Sequence, residues 1–332
     1  MRTDAREPWP DIAKGLAIAF VVYGHAYRGL RDGGFLADAP GWAIADYVIY
    51  TTHMPVFFFI TGCFFDGSIA KGVQAFWSSR LSVLAWPYLL WSFLQLQAQL
   101  FGETLALSNG SPEPSRIMTI LWDPISPFWF LHALIAALLV STLLRGVSAV
   151  VPAALSLVVL VLTSGRPAIE AVNDIAYALF YLSCGRLWRS SGLALPAGGW
   201  LRLAGLGLLF AALAGLGYRL GVSDRLNVPA AFAGLALVFT LANGLSHRAR
   251  ALATLGTYSM GIFVMHITVL GAARALGLRL FDGSIPPTLV LQVVLGIALP
   301  MLVQKAANDL HVAGYLGLRL PGAPHRPAPA SA

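Results

Sequence analysis

Charge is what this sequence has least of: only 11% of its 332 residues are Asp, Glu, Lys or Arg, against about 25% in ordinary soluble domains. So little charge cannot cover the surface of a soluble globule of this length. Cysteine is nearly missing as well. Cys63 and Cys184 each sit inside an apolar run, which leaves no disulfide framework or zinc motif, and both read as small buried apolar residues. No metal site is therefore expected. The apolar/polar alternation in ten-residue pieces that a β-barrel needs is also lacking. No internal repeat is visible.

What fills the chain is apolar. Hydrophobic residues make up 57% of it, in runs of about 18 or more, long enough to cross a hydrocarbon layer of about 30 Å as helices. The expected fold class is all-α: a polytopic membrane protein of about ten transmembrane helices. They are placed near residues 11–30, 42–65, 80–101, 128–145, 147–164, 171–188, 200–220, 228–246, 252–274 and 286–307. Arg2 and Arg6 before the apolar run from Gly15 to Tyr23 imitate a signal peptide. Asp11 and Lys14 at its start, and no small-residue cleavage site after it, make it the first span instead. The longest hydrophilic stretch is 102–127, with Pro112, Pro114, Pro124 and Pro127. It includes Asn109-Gly110-Ser111, a glycosylation tripeptide of little weight. Residues 1–319 form one transmembrane domain, and the Pro- and Ala-rich 320–332 reads as a disordered cytoplasmic tail.

Orientation follows from the cations. With the N-terminus inside, fourteen of the 22 Lys and Arg fall on one side, among them Lys14, Lys71, Arg80, Arg186, Arg189, Arg248 and Lys305. Eight fall on the other: Arg28, Arg31, Arg116, Arg166, Arg219, Arg225, Arg274 and Arg279. The positive-inside rule then puts both termini in the cytoplasm and the protein in the cell inner membrane. The net charge of +7 expresses topology and is no reason to propose nucleic acid.

Function must come from polar groups within the spans, because each costs a few kcal/mol there and faces a cavity or a partner. The first span carries Asp11, Lys14 and His25. Lys14 and His25 lie eleven residues apart, which returns to within about 20° of the same helix face over a rise of about 16 Å. Asp11 is placed to pair with Lys14 at i, i+3. In the second span His53-Met54-Pro55 precedes the aromatic run Phe57-Phe58-Phe59. Pro55 frees a carbonyl one turn earlier, and such breaks persist where they line a cavity. His266 closes Leu255-Gly256-Thr257-Tyr258-Ser259 through Met265, with Ser259 seven residues before it on the same face. Taken singly, each histidine reads as structural and Lys14 as snorkelling to the interface. Three imidazoles at comparable depth point to a shared polar chamber.

These stretches resemble the acyltransferase 3 family of integral membrane acyltransferases. Asp11-Ile12-Ala13-Lys14-Gly15 closing at Gly24-His25 is similar to the family's basic-x10-His motif. His53-Met54-Pro55 to Gly62 resembles its second block, and Arg80 through Pro87-Tyr88-Leu89-Leu90-Trp91 its third. Trp129-Phe130-Leu131 and Leu255 to His266 resemble later ones. The five run in order over most of the chain and look most like the sugar O-acetylases related to fucose 4-O-acetylase. Many members carry two arginines three apart at the third block; here Arg80 is followed by Val83, so one cation of the pair is missing and Lys71 or Arg248 could substitute. The fused extracytoplasmic hydrolase-like domain of some relatives is not expected after the last span.

The resemblance implies an O-acyltransferase that moves an acetyl group from cytoplasmic acetyl-CoA, as donor substrate with no bound cofactor, to a hydroxyl of a cell-surface glycan, exopolysaccharide or lipid-linked sugar. Lys14 and Arg80 then hold the phosphates of the acyl-CoA. His25 is the catalytic residue, either as general base toward the sugar hydroxyl or as the acylated nucleophile. Asp11, His53, His266 and Ser259 support it, and Trp129 and Tyr258, with Trp122, offer surfaces to the sugar acceptor. Two other readings compete. A transporter of a sugar or lipid-linked sugar would also use intramembrane His, Asp and Lys, although no paired broken helices are visible. A structural subunit of a glycan-assembly complex would leave the polar stripe unexplained.

Overall fold

The computed structural model describes residues 7–36, 40–104, 113–195, 198–246 and 248–320. Every regular element among them is helical: α1 (Trp9–Asp32), α2 (Pro40–Ile69), α3 (Val73–Arg80), α4 (Trp86–Thr104), the single turn α5 (Arg116–Thr119), α6 (Trp129–Leu143), α7 (Val150–Thr163), α8 (Glu170–Ser190), α9 (Trp200–Arg219), α10 (Val228–Gly244), α11 (Arg250–Thr257), α12 (Ser259–Leu280) and α13 (Ile285–Asp309). Four of these, in α2, α9, α12 and α13, are long and apolar enough to cross a membrane by length and composition. On α9 and α13 most of the apolar side chains also point outward. Leu201, Leu208 and Leu216 on α9 and Val290, Val294 and Leu302 on α13 are all exposed, which suits lipid. Asn109, Gly110 and Ser111, and the tail beyond residue 320, lie outside the described residues.

Three departures from the expected spans have local causes. The third span is entered through α3 and a wide π turn at Leu81–Ala85 that relaxes into α4 just before Pro87, where a ring without an N–H disturbs the ladder. The ninth is divided at Tyr258 into α11 and α12. In α2 the helix passes Pro55 without interruption; the carbonyl left unpaired by the ring is that of Thr51, and no break in the span results.

The core is organised around α1, whose inward residues Ile12, Ala13, Ile18, Val22 and Ala26 are wholly buried or nearly so. Glycine allows two very close helix crossings. A Cβ on Gly15 would collide with the Leu252 carbonyl, and one on Gly256 with the Asp11 carbonyl, so α1 and α11 meet backbone to backbone. Gly62 of α2 and Gly185 of α8 do the same against the carbonyls of Leu182 and Phe59. Small residues at such contacts let helices approach where no hydrophobic effect drives them together. The segment after α13 folds back: Trp86 and Trp91 donate their indole N–H groups to the Tyr315 and Leu316 carbonyls at 2.7 and 2.9 Å.

Candidate active site

A cavity of about 1270 Å³ opens at one end of the bundle. Its floor is His25 and Arg28 from α1, Tyr50, His53 and Met54 from α2, and Phe263 from α12. Its walls are Trp129 and His132 of α6 with Asn173, Asp174 and Tyr177 of α8. Its mouth is made of connections: Arg116 and the stretch Leu121–Pro127, the turn from Ser164 to Ile169, and Ser223-Asp224-Arg225 between α9 and α10. The cations here, Arg28, Arg116, Arg166 and Arg225, all belong to the group of eight. None of the fourteen lines the cavity.

At the floor the three histidines converge. The rings of His25 and His266 stand 5.1 Å apart between centroids. Tyr50 bridges His25 and His53, 6.2 Å from the first ring and 4.7 Å from the second. Two of the imidazoles have their hydrogens assigned by their surroundings. His53 Nδ1 is 2.7 Å from the Ile49 carbonyl, and His266 Nδ1 is 2.7 Å from the Phe263 carbonyl and 3.1 Å from that of Ile262. A carbonyl only accepts, so each Nδ1 carries the hydrogen, and in the neutral ring each Nε2 presents a lone pair. The Nε2 of His266 is buried and meets no partner among the described residues. No such bond among them ties the His25 ring, which faces the cavity.

Around this floor, Arg28 forms a forked ion pair with Asp46, at 2.8 Å for its shortest contact, and lays its guanidinium 3.1 Å over the centre of the Tyr50 ring. On the wall, Arg225 pairs with buried Asp174 at 2.6 Å, donates to the Asn173 side-chain oxygen at 3.0 Å and stacks 5.0 Å from the Trp129 ring. Burial pushes the Asp224 carboxyl up from its ordinary value, against the opposing pull of Arg225 and Arg28. His132 donates from Nε2 to the Leu121 carbonyl, 2.9 Å away, so here it is Nε2 that carries the hydrogen.

The structure thus brings His25, His53, His266, Trp122 and Trp129 together and keeps the other candidates apart from them. Lys14 sits toward the opposite end of α1, paired with Asp11 at 2.6 Å. Tyr258 and Ser259 lie at that same end, at the junction just after Gly256, which packs against Asp11. Arg80 ends α3 with its guanidinium 5.2 Å from the Phe76 ring. None of these five lines the cavity. Sequence reasoning passed over Arg28, Tyr50, His132, Asn173, Asp174, Asp224 and Arg225. Two signals were present: Arg28 is one helical turn beyond His25, and Asn173-Asp174 interrupts an otherwise apolar span.

An all-helical bundle with outward apolar faces and an internal polar chamber defines an integral membrane protein. The acyltransferase 3 model, described as an acyltransferase domain, matches residues 7–304, and the chain belongs to this family of acyltransferases. No curated protein and no solved structure matches the chain.

Proposed function

We propose that this protein is an inner-membrane O-acyltransferase that moves an acetyl group from acyl-CoA to a sugar hydroxyl, in the manner of the fucose 4-O-acetylase-like members of its family. The observation that carries the reading is His25: an untethered imidazole facing a polar cavity, with a buried acceptor nitrogen of His266 behind it. If His266 Nε2 accepts a hydrogen from one nitrogen of His25, the other nitrogen is left with its lone pair toward the cavity. That is the state a general base needs. His25 then takes the proton of the sugar hydroxyl as its oxygen attacks the thioester carbon, and returns it to the departing CoA sulfur.

The two ends of the molecule suit the two substrates. The cavity mouth offers the indoles of Trp122 and Trp129 beside arginine and carboxylate groups of both signs, a combination that stacks on a sugar ring and bonds its hydroxyls. The opposite end holds Lys14 and, with the cation-rich loops, Arg80. A second cavity of about 460 Å³ there is lined by Trp9, Trp188 and Arg189, chemistry suited to an adenine nucleotide and its phosphates. With the richer cation side inward, acyl-CoA binds from the cytoplasm and the glycan or lipid-linked sugar enters from the far side.

The test is His25→Ala in purified protein given radiolabelled acetyl-CoA. Release of CoA should fall about 10²- to 10⁴-fold while the protein still elutes as a folded species. Release at the wild-type rate would end this reading, and so would wild-type protein that releases no CoA.

A further inference from the structure

Tyr50 occupies the centre of the cavity floor, and its surroundings do more than pack it. Its ring lies edge to face with His25 on one side and with His53 on the other. The space it fills exists because residue 24 is glycine: a Cβ there would come within 2.8 Å of the ring. Arg28 covers the ring face at 3.1 Å and is itself clamped by both carboxylate oxygens of Asp46. The hydroxyl at the end of this arrangement is buried and, among the described residues, meets no hydrogen-bond partner. A phenol held rigidly on three sides, with its one polar atom left unsatisfied beside the proposed base, is arranged to donate to something that arrives.

We propose that the Tyr50 hydroxyl donates the hydrogen bond that stabilises the oxyanion formed during acyl transfer. This rests on the acyltransferase reading with His25 as base. The acceptor oxygen attacks the thioester carbon, His25 removes its proton, and the carbonyl π electrons move onto the carbonyl oxygen. That oxygen, now anionic, accepts from Tyr50 O–H. When the electrons return, the carbon–sulfur bond breaks, the sulfur leaves as thiolate and His25 gives it the proton, so an ester and CoA–SH are formed and both side chains end as they began. His25 and Tyr50 line the same cavity with their rings 6.2 Å apart between centroids, so a small acyl group seated over both meets an imidazole nitrogen and the phenol oxygen together. Arg28, clamped by Asp46 over the ring face, fixes where the phenol oxygen stands as the charge develops. Because the charge to be stabilised is absent from the ground state, the contribution belongs to the rate and not to donor binding.

The experiment measures CoA release from acetyl-CoA, with water as acceptor, by wild-type protein, Tyr50→Phe and His25→Ala. Tyr50→Phe keeps the ring beneath Arg28 and against Gly24, so a packing role predicts no loss. An oxyanion donor predicts a fall in kcat of about 10²- to 10³-fold with an unchanged KM for acetyl-CoA. Should that variant not accumulate, 3-fluorotyrosine at position 50, a stronger donor of nearly the same shape, should raise kcat measurably. If His25→Ala is inactive but Tyr50→Phe, or the fluorinated protein, has the wild-type kcat, the inference fails and the acyltransferase reading stands. If wild-type protein releases no CoA, or His25→Ala releases it normally, the reading fails and takes this inference with it.

Discussion

Two cations at the far end of the bundle from the histidines illustrate how a side chain's position assigns its kinetic effect. Lys14 is held by Asp11, one turn before it, and Arg80 packs its guanidinium near Phe76. Neither reaches the cavity that His25 faces. If they hold donor phosphates, Lys14→Gln and Arg80→Gln remove binding that is equal in the ground and transition states, so KM for acyl-CoA rises while kcat stays near normal. Initial-rate kinetics over a range of acetyl-CoA check this, and a lowered kcat at unchanged KM would contradict it. Removing Asp11 as well should leave the effect of Lys14→Gln nearly unaltered, because the pair shares one function.

At the scale of elements, the glycines that let α2 and α8 touch make one of the bundle's two tightest constraints. Gly62→Ala or Gly185→Ala drives a methyl into a backbone carbonyl that has no rotamer to give. Each should cost about 1–3 kcal/mol, seen as a lowered midpoint of thermal unfolding in detergent. Gly205→Ala and Gly207→Ala on α9, where an added Cβ meets nothing, should leave the midpoint where it is; equal effects at all four would remove the crossing as the cause.

Helix positions were largely legible, since an apolar run bounded by Gly, Pro or charge has little else to become inside a membrane. α7, α9, α10 and α13 all fall within a few residues of the expected ends. The interruptions were less so. The wide turn before Pro87 and the division at Tyr258 depend on how neighbouring helices pack, which periodicity does not record. The site was half legible for the same reason. His25, His53 and His266 stand out because an imidazole in a span is costly wherever it points. Asp174 and Arg225, by contrast, pair across 51 positions of sequence, and only the turn after α9 places them together. Nothing in the sequence singles out Tyr50; its unsatisfied hydroxyl is a property of the packing.

For the whole molecule, the cavity mouth and the cation-rich loops define two opposite ends, and sidedness is testable without any substrate. In a background lacking Cys63 and Cys184, cysteine at Ser190, exposed at the end of α8, should react with an impermeant maleimide only after lysis. Cysteine at Ser284, exposed before α13, should react in intact cells. Labelling of both from outside would reverse or redraw the arrangement and with it the assignment of donor and acceptor ends.

One consequence is metric. Lys14 and His25 share α1, which runs unbroken from Trp9 to Asp32, so the interval of about 16 Å between them behaves as a ruler that no rearrangement of the other helices can stretch. If Lys14 holds donor phosphate and His25 meets the thioester, such a gauge sorts donors by the length of the arm joining the two before it discriminates among the acyl groups they carry.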